Sequence, residues 1–299
     1  MNPTTIGMWQ IIAGAMCWGT LGILGTALER AGFGSTEVAS LRICIAFAFL
    51  LAALPYFWHG LRRLQWRQLP MLVLQSLIGM LGMSLCYFAA VSRVGPSLAV
   101  ALLYTAPVWS LIFARLLLGE GISGKSAALT VAAALGVGLM MADGISAQIA
   151  GILFGLGAGM CYALYGVLGK RAMLGCAPMP VLFTSIAFSA LVLLCLPDTR
   201  SAFAKLPAQT ADVWLSAAAL ALIGTLAAFT LFVRGLQKMP AAQAAVFTVF
   251  EPLTAIALAA LLLGERLGGM QYAGVAVIIA AAALNALPAR GHLPDAACA

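Results

Sequence analysis

Apolar residues in this chain come in unbroken runs of about twenty, not in the two-residue alternation of a half-buried strand or the narrow stripe of a surface helix. Ten runs can be marked, at 7–28, 36–57, 70–91, 96–118, 125–142, 149–169, 179–196, 213–234, 240–263 and 269–287. About 20 residues at 1.5 Å each cross a ~30 Å hydrocarbon layer. In lipid every backbone N–H and C=O must find a partner within the protein, which leaves helices for runs of this kind. The pattern therefore predicts an all-α integral membrane protein with ten transmembrane helices. Gly, Pro or charged residues break most of the runs. The longest break, Pro197–Asp212, reads as a loop, and 289–299 as a polar tail. The first run has no basic lead-in, so a retained helix is expected rather than a cleaved leader.

The runs repeat. Shifting Ser92–Glu120 by 145 residues lays it on Gln237–Glu265 without a gap. Arg93 then falls on Lys238, Pro107 on Pro252, and Leu118-Gly119-Glu120 on Leu263-Gly264-Glu265. At an offset of 144, Met16-Cys17-Trp18 matches Met160-Cys161-Tyr162, and Gly22-Ile23-Leu24-Gly25 matches Gly166-Val167-Leu168-Gly169. Two five-helix units are expected, at 1–146 and 147–288. Five is odd, so the second copy must sit inverted relative to the first. Many secondary carriers are built this way, with a shared site near the bilayer midplane.

Composition agrees with a membrane protein. The chain is 63% hydrophobic and 8% charged, with a mean hydropathy of +1.05, against roughly 25% charged residues in soluble domains. The net charge of +7 would also suit a nucleic-acid binder, but the charges are distributed by side. The face with both termini holds ten Lys and Arg, the other five, and Arg42 lies within a run. This predicts cytoplasmic termini and no nucleic-acid partner. Seven cysteines show no ligand-like spacing, so neither a metal site nor a disulfide framework is expected. Trp9, Trp58, Trp66 and Trp214 stand at run ends as interface anchors. Gly151, Gly155 and Gly159 form a small-residue packing face.

Function should reside in the few polar groups placed at depth. Glu251 is the one acid well inside a run and Arg42 the one such base, and ionisable groups there are costly and usually functional. They could pair, or both could face a cavity and meet the charges of a zwitterionic solute. Arg42 could instead snorkel outward or bind Glu37, and Glu251 could serve as a structural hydrogen bond or carry a proton. Pro107 and Pro252 should kink their helices by removing a donor and crowding the carbonyls of Leu103 and Thr248, which suits a pair of gate hinges. Met83 and Tyr87 share a helix face. Tyrosine hydroxyls avoid lipid, so Tyr87, Tyr104, Tyr162 and Tyr165 should face the bundle. With Trp18 and Phe247 they suggest a cavity for an apolar or aromatic body. Walker A, HExxH and GxSxG motifs are absent, so an enzyme is not expected, no cofactor is needed, and transport would run on gradients.

Two five-helix copies, each with a mid-helix proline and a run closing on Leu-Gly-Glu, together with Leu41-Arg42 in the second run, resemble EamA-type members of the drug/metabolite transporter superfamily over about residues 7–288. Within it the chain looks like the bacterial aromatic amino-acid exporter branch. That resemblance implies an inner-membrane carrier, compatible with a monomer, exporting amino acids such as Phe, Tyr, Trp, Thr or Met. It also implies a cavity lined mainly by spans one, three, four, six, eight and nine. Alternatives are a multidrug or quaternary-cation exporter and a passive channel.

Overall fold

In the computed structural model, residues 2–122, 124–140, 149–174, 177–263 and 269–286 are described. They contain helices and connections and no strand. The helices are α1 (Pro3–Gly19), α2 (Leu21–Arg30), α3 (Ser35–Ala52), α4 (Leu54–Arg62), α5 (Leu69–Leu74), α6 (Met83–Leu103), α7 (Ala106–Leu118), α8 (Gly124–Met140), α9 (Ile149–Ala172), α10 (Pro178–Leu194), α11 (Pro197–Lys205), α12 (Ala211–Ala221), α13 (Ala228–Leu236), α14 (Ala241–Phe247), α15 (Phe250–Leu263) and α16 (Gly269–Ala286). Apart from turns at Thr20, Ala53, Tyr104–Thr105 and Thr248–Val249 and non-helical residues at run ends, the described part of every apolar run is helical. Gly264-Glu265, Asp143, Cys176, Cys298 and the 289–299 tail lie outside the described residues.

Among the described residues, five helical stretches are long and apolar enough to cross a membrane: Pro3–Arg30, Ser35–Ala52, Trp66–Ala90, Ile149–Ala172 and Ala211–Leu236. A sixth would join Pro178–Leu194 to Pro197–Ala208 across a 90° bend, and Ala106–Leu118 and Ala127–Gly136 are shorter apolar helices. Breaks explain part of the shortfall from ten. The fourth run turns out of helix at Tyr104–Thr105 and the ninth at Thr248–Val249, each just ahead of its proline. Both breaks tighten into three-residue bonds, from Thr105 N–H to Leu102 O (3.1 Å) and from Glu251 N–H to Thr248 O (2.9 Å). Two wide π turns occur as well, Gln75–Gly82 ahead of α6 and Leu222–Ala227 ahead of α13.

The expected Pro197–Asp212 loop is corrected. Most of it is α11, with Pro197 at its start, Asp198 in its first turn and Lys205 in its last, charges that complement the helix dipole. Ala202 and Leu206 are buried against Leu28, Phe33, Val38 and Leu41. Thr199 Oγ1 donates to Leu193 O at 2.6 Å, and Lys205 bonds Glu37 at 2.8 Å.

The two ends of α6 lie on one stretch of α9, Cys86 by Gly157 and Leu102 by Gly155. A straight helix would put those residues about 24 Å apart, so the chain doubles back within α6. Gly155 and Gly159 allow this closeness, because a Cβ on Gly159 would meet Leu102 O at 3.0 Å. On the other side of the bundle α1 packs against α13 and α15. Gly14 passes close to Ala228 O, and Gly19 to Glu251 O. Helices α8 and α16 pack on each other, as do α3 and α10.

Candidate functional site

A cavity with about 650 Å³ of empty space lies where these helices meet. Its walls come from α1 and α2 (Trp18, Gly19, Leu21, Gly22), α3 (Arg42), α6 (Met83, Tyr87, Leu103), α9 (Tyr162), α13 (Phe229) and α15 (Glu251, Pro252, Ala255). Leu21, Gly22, Arg42 and Tyr87 also line a second space of about 680 Å³, which runs on past Gly25 and Thr26 to exposed Glu29. The site is thus reached from the Glu29 end. Among the described residues, none of α8 or α16 lines either wall.

Arg42 is 5% exposed, so it does not snorkel to the interface. Nor does it bind Glu37, whose carboxylate is held by Lys205 Nζ and by Gly34 N–H, both at 2.8 Å. Arg42 Nη2 donates to Ser84 Oγ at 3.0 Å, and Ser84 donates onward to Met80 O at 2.9 Å. Its Nε has no protein partner. A buried donor left unpaired carries a cost of about 1–3 kcal/mol, so this guanidinium is set to receive an acceptor.

Glu251 is the second residue of α15. The break before Pro252 puts it at the start of a half-helix, where the positive end of the helix dipole favours an anion. Arg42 and Glu251 lie on one cavity, yet they form no ion pair within 4.0 Å: among the described residues the one salt bridge is Lys205–Glu37. The Tyr104 hydroxyl comes beside Glu251, and neither it nor the Tyr162 hydroxyl makes a hydrogen bond.

At the far end from Glu29 the cavity ends on rings. Trp18 meets Phe229 edge-on at 4.9 Å between ring centres, Phe232 at 5.2 Å and Tyr162 at 5.7 Å. Tyr165 backs this floor against Phe229 at 5.2 Å. Beyond it, Lys170 Nζ donates to Leu236 O (2.8 Å) and Met239 O (2.7 Å), and Arg171 Nη1 to Leu117 O (2.6 Å). Glu120 Oε1 accepts from Ala241 N–H at 3.3 Å. These bonds tie the carboxyl ends of α13 and α7 to α9, and the start of α14 to the end of α7.

The structure therefore brings Trp18, Arg42, Met83, Tyr87, Tyr162 and Glu251 to one wall, with Pro252 among them. Tyr104 stands just behind Glu251. Tyr165 and Phe247, 1% and 2% exposed, are packed in the core. Pro107 is buried in the first turn of α7, off the cavity. Phe229 and Leu103 were missed from the sequence. The repeat carried a signal for one of them, because a shift of 145 lays Phe229 on Ser84, the residue that holds Arg42.

The sequence model of the EamA-like transporter family matches residues 5–142 and again 149–287. The chain belongs to this family. As an EamA-like protein it is a multi-pass membrane transporter. It is 27% identical over 274 residues to a protein of Archaeoglobus fulgidus described as an uncharacterized transporter, covering 92% of this chain and 94% of that one. It is 26% identical over 271 residues to the threonine/homoserine exporter RhtA of Salmonella typhimurium, covering 89% and 88%. A solved crystal structure shares the fold, with a TM-score of 0.75 at 18% identity over 95% of this chain and 96% of that one.

Proposed function

We propose that this EamA-like protein is an inner-membrane carrier that exports neutral amino acids, aromatic ones included, through the Arg42–Glu251 cavity by alternating access. One observation carries the reading: a guanidinium with an unpaired Nε and a carboxylate share a cavity without pairing, and aromatic and thioether side chains fill the wall between them. In this reading the solute's carboxylate docks on Arg42, its ammonium on Glu251, and its side chain against Trp18, Met83, Tyr162 and Phe229. Similarity to exporters named for threonine and homoserine supports an amino acid as the solute.

The carrier consists of two inverted five-helix units, 1–146 and 147–288, with both termini in the cytoplasm. Packing supports this. The first span packs on the eighth and ninth, the sixth packs on the third and fourth, and the second and fifth pack on their own counterparts. The π turns end 145 residues apart, at Gly82 and Ala227. The Lys170 end then faces the cytoplasm and is closed, and the Glu29 end faces outward and is open. A ring-packed floor favours a carrier over a channel.

A quaternary cation is the second reading, favoured by Glu251 on one cavity with Trp18 and Tyr162, but Arg42 on the same wall would repel it. Counterflow in proteoliposomes separates the readings. Saturable exchange of phenylalanine or threonine supports the amino-acid carrier. Exchange of tetraphenylphosphonium alone overturns it, and linear flux of every solute indicates a channel.

A further inference from the structure

The closed end of the molecule contains a template for closing the open end. On α9, Gly166 lies 3.7 Å (measured from an added Cβ) from the tip of the Phe232 ring, and Gly169 lies 3.7 Å from the Gln75 amide and 3.9 Å from Leu236. These contacts shut the cavity at the Lys170 end. The internal repeat lays Gly166 and Gly169 on Gly22 and Gly25, Phe232 on Tyr87, and Gln75 on Leu220. At the Glu29 end those four counterparts all line the open space, and neither Gly22 nor Gly25 has a heavy atom within 4 Å of where a Cβ would stand. Two glycines one turn apart on α2 thus present a bare, unpacked helix face to the residues that match their twins' partners.

We propose that Gly22 and Gly25 are the closing face of the outer gate, and that in the opposite state α2 swings about Thr20 to seat Gly22 on Tyr87 and Gly25 on Leu220. The proposal rests on the inverted-repeat carrier reading. α2 is a separate short helix, broken from α1 at Thr20, so a turn there moves it as a unit. An added Cβ at Gly166 or Gly169 would already stand in ordinary contact, 3.7 Å from Phe232 and from Gln75, so the closed face accepts glycine or alanine but not a side chain as long as leucine.

The same correspondence explains which end is shut. Lys170 matches Thr26 and Arg171 matches Ala27. Lys170 and Arg171 reach the carbonyls of α13 and α7, whereas the Thr26 hydroxyl is spent on Gly22 O of its own helix at 2.8 Å. The outer gate closes without basic clamps and is the weaker of the two. Removing the Lys170 clamp should therefore shift the population toward outer closure.

Cross-linking tests this without knowledge of the solute. The pair Gly25→Cys with Leu220→Cys, in membranes, is treated with a short bis-methanethiosulfonate. It runs beside the chain without these two cysteines, and beside Gly169→Cys with Gln75→Cys as the pair already in contact. The outer pair is expected to cross-link slowly, and about tenfold faster when Lys170→Ala is added, as the inner pair slows. The linked outer pair should lose phenylalanine and threonine counterflow and regain it on reduction. A second variant, Gly25→Leu, has open space in the state seen here and should fold normally. It should bind phenylalanine from outside, read by tryptophan fluorescence, within about threefold of the unsubstituted protein, with counterflow reduced about tenfold. An outer pair that never cross-links with Lys170→Ala present, or a Gly25→Leu chain with unchanged counterflow, overturns the gate while the unsubstituted protein still exchanges solute saturably. Linear flux through the unsubstituted protein sinks the carrier reading, and the gate with it.

Discussion

A buried arginine with a free donor, facing a carboxylate that it does not touch, is an arrangement that a solute would complete. Arg42 has one protein acceptor, Ser84, and its Nε has none. Charge-assisted hydrogen bonds are worth about 1.5–3 kcal/mol. Arg42→Ala should therefore weaken phenylalanine binding roughly 10- to 100-fold, read by isothermal titration in detergent. Glu251→Gln should weaken phenylalanine but not 3-phenylpropionate, which lacks the ammonium; equal losses for both would remove Glu251 from the ammonium site. The sequence singled out both residues, since an ionised group inside an apolar run is visible without a structure. It could not tell a bond to Glu37 from a place on the cavity, because Lys205, which takes Glu37, is 168 residues away. Packing has its own residue-scale test. A Cβ on Gly79 would fall 2.7 Å from Tyr165 Cα, and backbone cannot yield as a side-chain tip can. Gly79→Ala should cost about 1–3 kcal/mol, seen as a lower midpoint in thermal unfolding.

Among the elements, broken helices matter most. α14 and α15 would be one helix if Pro252 could donate to Thr248 O. The break instead sets Glu251 at the start of α15 and gives the ninth run its joint. Pro in a helix interior costs about 3 kcal/mol relative to Ala. Pro252→Ala should therefore raise the thermal midpoint and slow counterflow about tenfold; faster or unchanged counterflow would make the break a static kink. Pro107 and Pro252 were legible as breakers from residue chemistry alone. The π turns at Gln75–Gly82 and Leu222–Ala227 were not, since no residue type demands them. Nor was α11, because its polar stretch reads as a loop until Leu28, Phe33 and Leu41 offer it an apolar bed.

At the scale of the whole molecule, orientation is the quantity to test. Ala204 is exposed on α11 at the Glu29 end and Gln237 is exposed at the Lys170 end. Ala204→Cys should react with a membrane-impermeant maleimide in intact cells, and Gln237→Cys only after permeabilisation; the reverse would turn the proposed exporter around. The apolar runs and the 145-residue repeat are local or periodic properties, set by what lipid will solvate, so the all-helical membrane class and the family were readable along the chain. Which helix lies beside which, that α6 doubles back on α9, that Arg42 and Glu251 share a wall without pairing, and that one end is shut while the other is open depend on contacts between residues far apart in the chain, from 42 positions for Arg42 and Ser84 to 168 for Lys205 and Glu37. Their free energies come from shape and from paired polar groups, which one-dimensional spacing does not encode, so only the tertiary structure decided them.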